Sequence, residues 1–93
     1  MKTNYPIRNN EQQQQFEVEI DGHLAVLEYR LRDNLLFLMH TEVPDALGGK
    51  GIGSELAHHA LEWARTQQLK VKVYCAFVKK YLQRHKEYED LLA

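Results

Sequence analysis

Four of the chain's five glycines fall within six residues, Gly48-Gly49-Lys50-Gly51-Ile52-Gly53. Without a Cβ, such a turn lets the backbone lie directly against a ligand. The residues that follow, Ile52, Leu56, Ala60, Trp63 and Ala64, recur at helical spacing. They predict a helix over about residues 51–67, closed by Gln67, Gln68 and Leu69. The first turn of a helix carries amides with no intrahelical partner and the positive end of the peptide dipoles. Glycines feeding into it make an anion site, and phosphate is the usual guest. The alternative is that they only permit a tight turn.

Two other phosphate motifs fail on spacing. A P-loop needs Gly-Lys-Ser/Thr with a glycine five positions earlier. Here Gly49-Lys50 is followed by Gly51, and the earlier position is Pro44. A dinucleotide fingerprint begun at Gly49 ends on Ser54, and one begun at Gly51 ends on Leu56, where glycine is required. Metal chemistry is not expected. His58 and His59 are adjacent on a helix and point about 100° apart, so they cannot share one ion. His40, His85 and Cys75 add no ligand spacing.

The flanking segments predict how the turn is held. Residues 1–15 read as a polar, solvated lead-in containing Gln12 to Gln15. In Phe16-Glu17-Val18-Glu19-Ile20, apolar and acidic residues alternate, the period of a strand with one wet face. Asp21-Gly22 is a two-residue hairpin signal. The return strand, His23 to Leu31, puts Ala25, Leu27, Tyr29 and Leu31 on one face. After a turn at Arg32-Asp33-Asn34, the run Leu35-Leu36-Phe37-Leu38-Met39 is apolar on both faces. That predicts a central strand covered on both sides. Pro44 ends ladder pairing beyond it. Lys70 to Cys75 reads as a short strand, and a second helix follows from Phe77 to about Lys86. Strand, helix, strand implies a parallel pair with a right-handed crossover. The fold class is α/β (α+β): one domain over residues 1–93, in the order β-β-β-α-β-α, with antiparallel N-terminal hairpins before the parallel pair. The N-terminal strand is left as an exposed edge on which a second copy can pair.

Composition narrows the function. The chain has 93 residues and a formal net charge of −1, with no basic excess for a nucleic-acid or anionic-membrane surface. One cysteine excludes an intrachain disulfide. No apolar run reaches the roughly 18 residues of a membrane span, and the first residues lack a signal-peptide core. The expected setting is the cytoplasm.

Gly51-Ile52-Gly53 occupies the last three positions of Arg/Gln-x-x-Gly-x-Gly/Ala, the coenzyme A signature of the GCN5-related N-acetyltransferases. Gly48 stands at the leading position. Together with His40-Thr41-Glu42-Val43-Pro44, Tyr74-Cys75-Ala76-Phe77-Val78 and Tyr81-Leu82-Gln83-Arg84-His85, the turn resembles the short GCN5-like acetyltransferase domain proteins over about residues 16–92.

That resemblance implies a sheet whose strand before the turn splays from the strand after the helix. Glu42 and Val43 would offer backbone groups to the pantetheine arm of acetyl-CoA. The diphosphate would sit on the amides of Gly48, Gly49, Lys50, Gly51, Ile52, Gly53 and Ser54. A cysteine occupies the same junction as Cys75 in these proteins. It is a candidate nucleophile, since a thiolate can accept an acetyl group, or a small buried residue at a strand end. Tyr81, four residues beyond Phe77, resembles the tyrosine that protonates the departing CoA sulfur; otherwise it is a packed aromatic. His40 is placed to take a proton from an incoming amine, or is a core histidine. The implied activity is acetyl transfer from acetyl-CoA to an amine, on a small molecule or a protein lysine, by a monomer or weak homodimer. The alternative is a CoA-binding or protein-interaction module with little catalysis.

Overall fold

The computed structural model describes residues 5–93. Five strands form one sheet in chain order: β1 (Arg8–Asn10), β2 (Gln15–Ile20), β3 (His23–Arg32), β4 (Leu35–Glu42) and β5 (Lys70–Val73). The first four run antiparallel to their neighbours and β4 pairs with β5 in parallel. The crossover is α1 (Ile52–Thr66), and α2 (Ala76–Arg84) follows β5. Short 3₁₀ turns cover Asp45–Leu47 and Lys86–Leu91. No helix among the described residues is long and apolar enough to cross a membrane.

The turns follow from their side chains. Asp21 and Gly22 both have positive φ, as do Asp33 and Asn34, the geometry that matches the twist of paired strands. Gln68, at φ 59°, ends α1, and the Leu69 amide reaches back to the Ala64 carbonyl at 2.8 Å. That left-handed closure usually falls to glycine.

Residues 8–10, read from the sequence as lead-in, form the edge strand β1. Side-chain bonds hold it. The Tyr29 hydroxyl donates to Asn9 Oδ1 at 2.7 Å, and Arg8 Nε donates to Glu17 Oε2 at 2.7 Å. Tyr5 and Ile7 also pack against the core. The part of the lead-in before residue 5 lies outside the described residues. β5 forms the opposite edge, so the sheet has two.

The core lies between one sheet face and the helices. Phe16, Val18, Ala25, Leu27, Leu36, Leu38 and Val71 meet Ile52, Leu56, Ala60, Ala64 and Val78. The helices α1 and α2 and the final 3₁₀ turn touch one another on this side. A fully buried Leu or Ile contributes about 1.5–3 kcal/mol, so this face supplies most of the stability.

The outer face differs from the covered strand that residues 35–39 predict. Leu36 and Leu38 are buried, while Leu35 and Phe37 are half-buried and Met39 is exposed. All the helical elements are taken up by the inner face, leaving the outer one open.

Candidate active site

Parallel pairing of β4 and β5 runs in register from Leu35↔Lys70 to Leu38↔Val73. Its last bond is the Tyr74 amide to the Leu38 carbonyl, at 2.9 Å. Beyond it the strands part. One residue of β4, Met39, has no partner in β3, because Tyr29 pairs with Leu38 and Glu28 with His40. An unpaired residue reverses the side-chain alternation after it. His40 and Glu42 therefore project from the outer face, opposite Glu28 and Val26, and Thr41 turns inward opposite the buried Leu27.

This reversal explains where the histidine goes. His40 is exposed, not a core residue, and its Nε2 lies 3.5 Å from Glu42 Oε1. Thr41 faces Cys75 instead. Its hydroxyl and the buried Cys75 thiol are hydrogen-bonded at 3.0 Å. Cys75 is the N-cap of α2 and makes no side-chain capping bond.

A cleft of about 360 Å³ opens beside this pair. Thr41 and Val43 form one wall, Leu47 to Ser54 (Lys50 apart) the floor, and Phe77 of α2 the other wall. Gly49 and Gly51 have φ of 78° and 73°, and a Cβ on either would meet open space. At Gly53 a Cβ would lie 2.8 Å from Phe77 Cζ. The absent side chain is what lets the ring close the cleft.

The amides divide into two groups. Gly48 N–H donates to the Asp45 carbonyl at 3.0 Å. This corrects the donor set read from the sequence: Gly48 shapes the turn and offers no free amide. The first bond of α1 runs from the Glu55 amide to the Gly51 carbonyl, and no side chain caps the helix. The amides of Ile52, Gly53 and Ser54 are thus first-turn donors without an intrahelical partner, and among the described residues no backbone partner takes those of Gly49, Lys50 or Gly51. Lys50 is anchored through its carbonyl, which accepts from the Tyr5 hydroxyl at 2.8 Å.

Residues 15–91 match the family model described as GCN5-related N-acetyl-transferase. The chain belongs to the GCN5-related N-acetyltransferase family. Within it, the chain is 38% identical to Protein NATD1 of Mus musculus over 85 residues, covering 86% of this chain and 77% of that one. It is 36% identical to Protein NATD1 of Homo sapiens, covering 86% and 75%. The NMR solution structure of a GCN5-like protein from Staphylococcus aureus superposes with a TM-score of 0.74 at 34% identity, over 99% of this chain and 91% of that one. The mixed sheet with its parallel pair is the fold of this family.

Tyr81 of the N-acetyltransferase fold read from the sequence lies outside the cleft lining. Its ring stacks on His85 with centroids 4.0 Å apart. Burial, helped by Glu87, Glu55 and Glu62, raises its hydroxyl above the ordinary tyrosine range. Glu42, His40, Lys50 and the buried Cys75 are also outside the lining, Cys75 meeting it through Thr41. Thr41, Leu47 and Phe77 are the lining residues whose roles the sequence did not announce. Thr41 became visible only through the register change at Met39, and Phe77 through its contact with Gly53.

Proposed function

We propose that the chain binds acetyl-CoA in this cleft and transfers the acetyl group to an amine. One observation carries the reading. A row of amides with no backbone partner among the described residues, from Gly49 to Ser54, adjoins the β4 edge from which β5 has parted. The amides would hold the diphosphate at the positive end of α1. The free edge at Thr41 to Val43 would pair with the amide groups of the pantetheine arm, as an added strand does. Acetyl-CoA supplies an acetyl group activated as a thioester.

The chain's own residues then have separate roles. Cys75 is buried and not itself among the cleft-lining residues, and its thiol meets the lining residue Thr41. Its sulfur can bond to the carbonyl carbon as the carbon–sulfur bond to CoA breaks, and the thiol proton passes to the departing CoA sulfur. An amine then displaces the Cys75 sulfur, which takes up the proton that the amine gives up. His40 on the outer face, beside Glu42, is the residue proposed to relay that proton from the amine. Tyr81 keeps its proton and stacks on His85, which favours packing α2 over donating to sulfur.

Calorimetric titration with acetyl-CoA tests the binding reading. The native chain is expected to bind, and Gly51→Asp to lose that binding while staying folded, because a carboxylate would enter the anion site. No heat from the native chain at millimolar ligand would end the proposal. Intact mass after mixing with acetyl-CoA tests the chemistry, with one acetyl group expected on Cys75 or on an added amine. Binding with neither would leave a CoA-binding module.

A further inference from the structure

The open sheet face carries a second concavity, of about 490 Å³, that shares no residue with the acyl cleft. Phe37 and Met39 form its floor, Tyr74 one side, and Arg30 and Arg32 the other. The Phe37 and Tyr74 rings are nearly parallel, 13° apart with centroids 6.2 Å distant, and Tyr74 is 58% exposed. Arg30 stands opposite Phe37 in the register and Arg32 opposite Leu35, so both guanidiniums flank the same apolar strip. Lys72, opposite Phe37 on the other side, adds a third cation to that row.

Charge decides what fits. None of the side chains lining it carries a carboxylate. Among the described residues Arg32 forms no ion pair, and Arg30 donates only to the neighbouring Tyr29 carbonyl, at 2.8 Å. Two unpaired guanidiniums beside an exposed aromatic floor suit an anionic head with a flat apolar body. A long polyanion suits the face poorly, because Glu28 and Glu42 lie further along it and would repel a tracking phosphate chain.

We propose that this pocket binds a small organic anion, its carboxylate between Arg30 and Arg32 and its flat body over Phe37 and Tyr74. The pocket ends at Met39 and Tyr74, where β4 and β5 part. Resting on the acetyl-transfer reading, this makes it the docking site for the non-reacting end of the acceptor, an amine that also bears a carboxylate.

Titration of the ¹⁵N-labelled chain with indole-3-acetate, followed by amide shifts, tests the site. Shifts are expected at Arg30, Arg32, Phe37, Met39 and Tyr74, with tryptamine, which lacks the carboxylate, moving them far less. The double variant Arg30→Gln/Arg32→Gln should weaken indole-3-acetate binding by about tenfold or more and leave acetyl-CoA binding unchanged. Equal response to tryptamine, no loss in the double variant, or stronger binding of a single-stranded oligothymidylate at these residues would each overturn the proposal. Failure of acetyl-CoA to bind while indole-3-acetate does would remove the acceptor role and leave the anion site standing.

Discussion

The Thr41 hydroxyl meets the Cys75 thiol at 3.0 Å across the point where two parallel strands separate. Neither strand alone would create this pair. The unmatched Met39 turns Thr41 inward, and the start of α2 brings Cys75 to it. Cys75→Ala is therefore expected to abolish acetyl capture and turnover while retaining the fold, since a small side chain leaves a small cavity. Thr41→Val should leave the thiol without its polar partner and cost about 1 kcal/mol of stability. Intact mass, steady-state rates and denaturant melts check both. Full turnover in Cys75→Ala would assign the cysteine to packing.

Gly53→Ala places a methyl where Phe77 Cζ now lies 2.8 Å away. The ring is 42% exposed and can swing aside, so the fold should persist. A better helix former at this position adds about 0.5–1 kcal/mol, offsetting the displaced contact. The expected result is a melting temperature near that of the native chain with several-fold weaker CoA binding, recovered by adding Phe77→Leu. Calorimetry on the single and double variants decides it.

Gln68 occupies a left-handed position, φ 59°, at the end of α1. Glycine takes that conformation without a Cβ clash. Gln68→Gly is expected to stabilise the chain by about 0.5–1 kcal/mol, read as a higher midpoint in urea.

Glu17 projects from the outer face yet is only 3% exposed. Gln15 Nε2 donates to it at 2.6 Å, and Arg8 and Asn10 add further bonds. The bond from Gln15, followed by those from Arg8 and Asn10, lowers its carboxyl below the usual 4.5 despite the opposing effect of burial. A depressed folded-state value means the contribution is present above pH 4.5 and disappears as pH falls through that lower value. Thermal melts at falling pH should show the native chain losing stability over this window. Glu17→Gln should start less stable at neutral pH and show a flatter acid limb.

Much of the frame was legible in residue order. Asp21-Gly22 and Asp33-Asn34 announce their turns, and the stripe from Ile52 to Ala64 announces α1. β1 was not legible, because Arg8-Asn9-Asn10 has no apolar alternation and is held by distant partners, Glu17 and Tyr29. The apolar run 35–39 suggested two covered faces, but every helix packs on one side. His40, one alternative for which was a core histidine, lies on the outer face because strand parity cannot reveal the unpaired Met39. Gly48 fits the glycine pattern, and only the bond to Asp45 shows that its amide is committed.

The central claim concerns which amides hold a diphosphate, and ¹⁵N-resolved titration with coenzyme A reads them individually. The largest shifts are expected at Gly49, Lys50, Gly51, Ile52, Gly53 and Ser54, with Gly48 moving less because its N–H is already bonded. Shifts absent from this turn, or centred elsewhere on the chain at saturating ligand, would contradict it.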